Sequence, residues 1–387
     1  MTLSQFLPLT RRAALGGLAA LPFVGTIPAL ASEAAASSLN AAAQGTGRRW
    51  GSSIGYNAQG MGASIQNPRY AELVLAECGV VVPENELKWQ ATRPGPDAFD
   101  FTRMDAIARW AMQNGVALRG HTLLWHRSKW FPEWLNTYDF GANPAREAER
   151  LLTTHIRTVT DRYRGQITSY DVVNEAIDPH TSGMEATSLS RAMGSPEAVV
   201  DLAFHTARDQ LPTAQLVYND YMSWEPDHAN HCAGVLRLLE GFRRRNVPVD
   251  ALGIQSHIEL FALDPASGSG RYREAEWRRF LDEVVAMGYS LLITEFDVKD
   301  KALPGPVALR DERVADYTRR YFDVMLDYPQ LGDVLAWGMV DQFSWLQGYA
   351  PRNDGLEVRG TPYSSYYTAK PMRQAIVEAF ADAAAAG

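Results

Sequence analysis

The chain has 387 residues, a length that allows one large domain or two of ordinary size. Its hydrophobic fraction of 46% and charged fraction of 21% are typical of a folded globular protein and exclude a chain that is disordered throughout. The formal net charge is -8 and no long basic run is present, which argues against nucleic acid or an anionic membrane surface as a partner.

The first 31 residues predict an export signal. Arg11 and Arg12 precede an apolar stretch, residues 13–31, and Ala29 to Ala31 form a cleavage site of the small-x-small type. The adjacent arginines resemble a twin-arginine signal. A membrane anchor is the alternative, but the glycines and prolines within the stretch make a poor spanning helix. We therefore expect a secreted or periplasmic protein that has no membrane contact after the signal is removed.

Both ends of the remaining chain predict little regular structure. Residues 32–48 are small and polar and indicate a disordered leader, while the alanine-rich residues 382–387 indicate a disordered tail. No low-complexity break interrupts residues 49–381, so we expect a single domain there. Cys78 and Cys232 lie far apart and belong to no CxxC or Cys/His cluster, which predicts two buried free thiols rather than a disulfide or a zinc site.

Within this domain, short apolar segments alternate with amphipathic ones. The predicted strands cover residues 50–57, 79–85, 116–125, 167–176, 214–221, 251–258, 290–298 and 333–342. The predicted helices cover residues 70–78, 101–114, 146–163, 197–210, 227–244, 273–287, 313–328 and 370–380. Repeated strand–helix units predict a parallel sheet, and we expect an α/β fold of the (β/α)8 TIM-barrel type. A doubly wound open sheet is the alternative, but the sequence lacks its Gly-rich phosphate turn.

Polar and aromatic residues collect at the ends of the predicted strands. In a (β/α)8 barrel the carboxyl ends of the strands and the loops after them form the active site. Each residue alone has an ordinary explanation, such as a glutamate at a helix start or a packed tryptophan. Their recurrence at seven strand ends instead predicts a site, formed by Glu84, Asn85, Lys88, His121, Trp125, His126, Asn174, Glu175, Asn219, Asp220, Tyr221, Gln255, His257, Glu295, Asp297, Trp337 and Trp345.

Two glutamates in this set follow apolar runs. Glu175 lies in YDVVNEAID after the fourth predicted strand, and Glu295 lies in LLITEFDV on the seventh. Strands at these positions can place two carboxyl groups across a barrel mouth. Hydrolysis of an acetal needs a proton for the departing oxygen and a negative charge near the sugar carbon, which a protonated and an ionised carboxyl group supply. The distance between the two groups decides whether configuration is retained or inverted, and the sequence leaves both outcomes open.

Seven motifs occur in order between Trp50 and Phe380: VVPENELKW, RGHTLLWH, YDVVNEAID, YNDY, IQSHI, ITEFDV and WGMVDQFSW. Together they resemble glycoside hydrolase family 10, the retaining endo-β-1,4-xylanases. The resemblance implies hydrolysis of xylan or xylo-oligosaccharides through a covalent glycosyl-enzyme. We expect no cofactor and no catalytic metal, because the sequence has no ligand-spaced acidic run of the EF-hand type. Val82 stands where a threonine is commoner, and no cysteine pair flanks the loop after the sixth strand. We expect these departures to affect structure rather than chemistry.

The resemblance also implies roles for individual residues. Glu175 corresponds to the general acid/base and Glu295 to the nucleophile. Residues that support these two groups are Asn174, which contacts the sugar 2-hydroxyl, Gln255, His257 and Asp297. The corresponding substrate-binding residues are Glu84, Asn85, Lys88, His121, Trp125, Tyr221, Trp337 and Trp345.

Two other functions remain open from the sequence. The same barrel could act on another β-glycan, such as cellulose or mixed-linkage glucan, although we expect Trp337 and Trp345 to crowd the hydroxymethyl group of glucose. A non-catalytic exported sugar-binding protein would explain the aromatic residues but would not require paired glutamates. We expect a monomer, and we expect the segments 299–311 and 347–367 to shape the sugar subsites.

Overall fold

The computed structural model describes residues 37–260 and 271–386, so the predicted signal at residues 1–31 lies outside the described residues. The strands in the described part are β1 (Trp50–Ile54), β2 (Val80–Pro83), β3 (Ala117–Trp125), β4 (Ile167–Asn174), β5 (Gln215–Asp220), β6 (Ala251–Ile254), β7 (His257–Glu259), β8 (Ser290–Lys299) and β9 (Leu331–Ala336).

Eight of these strands close into a parallel barrel. Their order around the barrel is β6, β5, β4, β3, β2, β1, β9 and β8, and a further pairing of β6 with β8 closes the circle. The short strand β7 lies outside the circle and pairs with the end of β8, where His257 is opposite Asp297. The predicted (β/α)8 TIM barrel is therefore confirmed. The sixth predicted strand is divided into β6 and β7 at Gln255 and Ser256.

Helices surround the barrel and connect its strands. They are α1 (Leu39–Gln44), α2 (Pro68–Glu77), α3 (Trp89–Thr92), α4 (Thr102–Gln113), α5 (Glu133–Asn136), α6 (Pro144–Arg162), α7 (Ser188–Met193), α8 (Pro196–Gln210), α9 (Ala229–Arg244), α10 (Glu274–Ala286), α11 (Val307–Leu326), α12 (Leu346–Tyr349) and α13 (Pro371–Ala386). Short 3-10 turns lie at Ser128–Trp130, Pro226–His228 and Asp341–Phe343.

Local sequence explains the turn between α7 and α8. Helix α7 ends at Gly194, whose φ of 82° is a left-handed conformation that glycine adopts without steric cost. Ser195 then caps α8 by accepting a hydrogen bond from the Ala198 amide, and Pro196 occupies the first turn. Strands β1, β2 and β6 are buried along their whole length, as expected for parallel strands covered by helices on the outside.

The N-terminal region differs from the prediction. Helix α1 occupies part of the predicted leader, residues 32–48, and its side chains Leu39 and Ala43 are fully buried. The Glu77 carboxylate accepts a hydrogen bond from the Leu39 amide at 2.7 Å and pairs with Arg373 at 2.8 Å. Arg373 also donates to the Ser37 carbonyl at 2.9 Å. The prediction of a disordered leader is therefore wrong for residues 37–48, because apolar burial and this ion pair attach the segment to α13.

Two other boundaries also differ. Helix α13 continues to Ala386, so the predicted disordered tail is wrong for residues 382–386, because alanine is the strongest helix former. Helix α11 begins at Val307, directly after Pro306, rather than near residue 313. The segment predicted to shape subsites at residues 299–311 is correspondingly shorter, and its Asp311 forms an ion pair with Arg359 at 2.7 Å.

Both cysteines are free thiols, as predicted. Cys78 is buried in the main core. Cys232 is only partly buried, and its sulfur lies 3.8 Å from the Ser223 carbonyl oxygen. Burial raises the pKa of the Cys232 thiol to about 12, so this group stays protonated near neutral pH.

Candidate active site

The ends of β4 and β6 carry non-glycine residues in the left-handed backbone region. Glu175, directly after β4, has a φ of 53°, and Ser256, between β6 and β7, has a φ of 63°. Such conformations cost about 1 kcal/mol or more each and cluster at functional sites. Both positions lie at the carboxyl ends of the barrel strands, where the sequence predicts the site.

A chain of side-chain amides links the two glutamates. Gln255 donates to Glu175 Oε1 at 2.8 Å, and Asn219 donates to Glu295 Oε1 at 2.8 Å. Between them, the amide of Asn174 lies 2.9 Å from that of Asn219 and 3.3 Å from that of Gln255. The structure therefore brings Glu175 and Glu295 into one connected site, although β5 and β6 separate β4 from β8 in the barrel.

Glu295 is surrounded by groups that stabilise its anion. His257 Nε2 lies 3.2 Å from Glu295 Oε2, His257 Nδ1 lies 3.0 Å from Asp297 Oδ1, and His121 Nδ1 lies 3.9 Å from Glu295 Oε1. Burial alone would raise the pKa of Glu295, but the hydrogen bond from His257 and the charges of both histidines outweigh it, so the pKa is lowered. Glu295 is thus ionised near neutral pH.

His257 itself is charged by its two acidic neighbours. Burial would lower the pKa of this imidazole, but the charges and hydrogen bonds of Asp297 and Glu295 overcome that effect and raise it to about 9. At neutral pH both ring nitrogens therefore carry protons, one facing each carboxylate. This places a positive charge directly against Glu295.

Glu175 is in the opposite situation. Burial raises its pKa, and the nearby charges of Asp220 and Glu295 raise it further. Hydrogen bonds from Gln255 and Trp125 to its carboxylate oppose this rise without cancelling it. The site thus contains one carboxyl group that favours its protonated form and one that favours its ionised form, which is the combination that acid-assisted nucleophilic substitution requires.

Asp220, which acts on Glu175, is fully buried at the end of β5. His231 Nε2 lies 2.9 Å from Asp220 Oδ1, and the Tyr218 hydroxyl donates to Asp220 Oδ2. Burial alone would raise the pKa of Asp220, but the His231 charge and the Tyr218 hydrogen bond lower it. Asp220 therefore provides a permanent negative charge behind Glu175.

A similar buried group supports His121. Asp171 lies within β4 and accepts from Arg119 at 2.6 Å, while its second oxygen lies 3.0 Å from His121 Nδ1. These contacts fix the ring of His121 beside Glu295. Asp171 and Arg119 were not predicted from the sequence, although an acid and a base in the middle of two neighbouring apolar strands are a signal that could have indicated them.

The predicted residues after β2 line one side of the mouth. Lys88 Nζ donates to Asn85 Oδ1 at 2.8 Å and lies 4.7 Å from the centre of the Trp125 ring and 6.0 Å from that of Trp337. Burial lowers the pKa of Lys88, and the charges of Glu295, Glu84 and Glu175 oppose that shift. Burial raises the pKa of Glu84, and the nearby charge of Glu295 raises it further.

Trp337 and Trp345, predicted to bind substrate, contact the groups around Glu295. Trp337 packs edge-on against His121, with the ring centres 5.3 Å apart. The Trp345 indole donates to Asp297 Oδ2 at 2.7 Å, and its ring centre lies 4.9 Å from that of His257. Both indoles thus lie against residues that surround the ionised glutamate.

The loop after β3 adds groups that the sequence analysis did not assign. Arg127 donates to the Glu175 carbonyl at 2.9 Å, and its terminal nitrogen lies 3.5 Å from the Tyr221 hydroxyl. Trp130 stacks on Trp125 with ring centres 4.5 Å apart. Both residues were missed because an arginine or tryptophan in a polar loop has no distinguishing pattern. In the described part of the chain, no group of three or more His, Cys, Asp or Glu side chains could hold a metal ion.

A (β/α)8 barrel whose mouth holds one glutamate with a raised pKa and one with a lowered pKa, flanked by indole rings, defines a glycoside hydrolase. Sequence comparison then identifies the glycoside hydrolase family. The chain belongs to glycosyl hydrolase family 10, whose sequence profile matches residues 38–379. The resemblance noted from the seven motifs is therefore confirmed.

Individual relatives agree with this assignment. Endo-1,4-beta-xylanase 3 of Hypocrea jecorina is 31% identical over 284 residues, covering 73% of this chain and 72% of that protein. Endo-1,4-beta-xylanase B of Thermotoga neapolitana is 28% identical over 281 residues, covering 73% and 75%. Among solved structures, native xylanase 10B of Thermotoga maritima superposes with a TM-score of 0.77 at 27% identity, covering 90% of this chain and all of that one.

Proposed function

We propose that the protein is a retaining endo-1,4-β-xylanase that hydrolyses β-1,4-xylosidic bonds by double displacement. The observation that carries the proposal is the opposite pKa shift of Glu175 and Glu295 within one site of a family 10 barrel. The relatives named as xylanases support xylan or xylo-oligosaccharides as the substrate.

In the first step Glu175 donates its proton to the oxygen of the departing sugar. Glu295 attacks the anomeric carbon, so the bond from that carbon to the departing oxygen breaks as a carboxylate ester forms. The hydrogen bonds from Asn219 and His257 orient the attacking carboxylate. Asn174, between the two glutamates, contacts the sugar 2-hydroxyl, a bond that strengthens as positive charge develops on the ring.

In the second step water replaces the enzyme at the same carbon. Once Glu295 is an ester it carries no charge, so one contribution to the raised pKa of Glu175 disappears. Glu175 then accepts a proton from the incoming water, and the ester bond breaks to release the sugar. Two substitutions at one carbon retain its configuration.

The remaining predicted residues bind the sugar units on either side of the cleaved bond. Hydrogen-bonding and charged groups orient the hydroxyls, while aromatic rings provide apolar faces. The residues in this role are Glu84, Asn85, Lys88, His121, Trp125, Tyr221, Trp337 and Trp345.

The test is hydrolysis of linear xylo-oligosaccharides followed by proton NMR. We expect the β-anomer of the new reducing end to appear first and to equilibrate later. Glu295→Ala should abolish turnover while retaining oligosaccharide binding. Initial release of the α-anomer, or full activity of Glu295→Ala, would refute the mechanism.

Xylan is the proposed substrate in preference to a glucan. Trp337 packs against His121 and Trp345 against His257, and both histidines lie beside Glu295. We propose that the two indoles crowd the space that a hydroxymethyl group on the sugar ring would need. Rates on soluble xylan and carboxymethylcellulose compare the two substrates directly. We expect a strong preference for xylan, and equal rates would contradict the proposed exclusion.

We also infer that residues 1–31 export the chain by the twin-arginine route, and that the mature protein is a monomer. Within residues 37–260 and 271–386, no helix has both the length and the apolar character needed to cross a membrane. Arg11→Lys together with Arg12→Lys should leave the enzyme inside the producing cell. Unchanged export of this double variant would contradict the twin-arginine assignment.

The oligomeric state is tested separately, by light scattering of the purified protein.

A further inference from the structure

Tyr349 is an exposed aromatic residue at the end of α12. Its exposed fraction is 67%, and its ring stacks on that of Trp345 with centres 4.3 Å apart and planes inclined by 26°. A single exposed aromatic ring on a protein surface is ordinary. This ring, however, continues directly outward from an indole of the active site, so its position needs a functional explanation.

The inner ring of this pair is fixed relative to the nucleophile. The Trp345 indole is held by Asp297, and Asp297 faces His257, which in turn contacts Glu295. The plane of Tyr349 is therefore set by a short series of contacts that begins at the reacting carboxylate.

The connection around Tyr349 is also fixed by hydrogen bonds. The Gln347 amide donates to the carbonyls of Asp341 and Val358, each at 2.8 Å, and its oxygen accepts from the Val358 amide at 3.0 Å. These bonds tie α12 to the segment that returns toward α13. Tyr349 is thus presented on a rigid support, which reduces the entropy lost when a ligand is bound.

Tyr349 also interacts with Tyr221, which follows β5. Burial is the main cause of the raised pKa of Tyr221, and Asp220, Glu175 and the Tyr349 phenol raise it further. The two phenols are therefore within electrostatic range of each other. Trp345, on which Tyr349 stacks, packs against His257 of β7, whereas the rings beside Lys88 are those of Trp125 and Trp337. The pair of Trp345 and Tyr349 is therefore anchored on the His257 side of the mouth.

We propose that Tyr349, together with Tyr221, binds the xylose units on the leaving-group side of the cleaved bond. The inference rests on the proposed function and extends it to a residue that no motif of the sequence analysis includes. Glu175 must reach the departing oxygen, so the sugar that departs lies beside Glu175 and Tyr221. The exposed phenol ring of Tyr349, within electrostatic range of Tyr221, offers an apolar face to the C–H groups of such a sugar, and its hydroxyl remains in water.

The experiment compares substrates with the same sugars before the cleaved bond and different groups after it. Nitrophenyl β-xylobioside has no sugar on the leaving-group side, whereas xylohexaose provides several. For Tyr349→Ala we expect kcat/KM on xylohexaose to fall roughly three- to tenfold, the size of one aromatic contact, with nitrophenyl β-xylobioside unaffected. Tyr349→Phe should retain near-normal rates on both, because the ring face is preserved.

The matched control is Tyr366→Ala. Tyr366 is 83% exposed and lies between β9 and α13, as Tyr349 does, but in the described residues no ring stacks on it. We expect this variant to retain wild-type rates on both substrates.

Several outcomes would overturn the assignment of Tyr349. Equal losses on both substrates would mean that Tyr349 acts only by supporting Trp345, and no loss on xylohexaose would mean that it binds no sugar. A loss that appears when the aryl substrate is extended from xylobioside to xylotrioside would place Tyr349 on the other side of the bond. Failure of the wild-type enzyme on both substrates would instead refute the proposed function itself.

Discussion

His257 provides the sharpest test of the electrostatics at the site. Its pKa rises from the ordinary 6.5 to about 9 because Asp297 and Glu295 overcome the effect of burial. A difference of this size corresponds to about 3 kcal/mol of favourable interaction between the imidazolium and its acidic neighbours. His257→Gln removes the charge while leaving a side chain that can still hydrogen-bond.

The sign of the effect follows from linkage. A group whose pKa is raised on folding binds its proton more tightly in the folded state. Its contribution to stability is complete below pH 6.5 and is lost as the pH rises through about 9. The unfolding free energy of the wild type should therefore fall by up to about 3 kcal/mol between pH 6.5 and about 9 because His257 loses its proton. His257→Gln should not show this decrease.

The assay is urea unfolding at a series of pH values across this interval, with the unfolding free energy compared between variants. His228→Gln is the matched control, because burial lowers the pKa of His228 to about 4 and this residue stays neutral throughout the range. The control should retain the wild-type pH dependence. If His257→Gln lost stability in parallel with wild type, His257 would not carry the charge, and the explanation for the ionised Glu295 would fail.

Three further predictions test other parts of the molecule. Glu175→Ala should reduce kcat/KM on xylan on the order of 10²–10⁴-fold but affect activated aryl glycosides far less, because good leaving groups need little protonation; uniform losses would contradict its role as the acid. Asp220→Asn should move the alkaline limb of the kcat/KM profile to lower pH, because a charge that raises the pKa of Glu175 is removed, and an unshifted limb would refute that coupling. Arg373→Met should lower the unfolding free energy by about 3 kcal/mol, because Glu77 is left buried without its ion-pair partner. Arg150→Met, the control at an exposed ion pair, should change the unfolding free energy little, and similar effects of both variants would contradict the argument.

The barrel was predictable because its signals are local. Apolar runs indicate strands that are buried on both faces, and amphipathic runs indicate helices that are buried on one face. Both patterns can be recognised in the sequence without knowledge of tertiary contacts. Glu175 and Glu295 were predictable for a related reason: a carboxylate directly after a buried strand conflicts with the pattern around it, and such conflicts mark functional positions.

Other features could not be predicted because long-range contacts create them. Helix α1 is only six residues long, too short to be stable alone despite its alanines, and it forms because Glu77 and Arg373 hold it from distant parts of the chain. Asn219 could be placed at a strand end, but only the fold shows that its amide reaches both Asn174 and Glu295. The ring of Tyr349 is likewise uninformative until Trp345 is known to lie beneath it.

The two glutamates are chemically identical, so their division of labour must come from what surrounds them. Glu295 faces the imidazolium of His257, whereas Glu175 faces Asp220, and each neighbour is itself held in its charged form by a further buried partner. During the reaction Glu295 loses its charge on forming the ester, but Asp220 keeps its own. The pKa of Glu175 therefore falls only in part, because the contribution of Asp220, larger than that of Glu295, persists. Glu175 can then accept a proton from water in one step and still hold a proton for the leaving group in the next cycle.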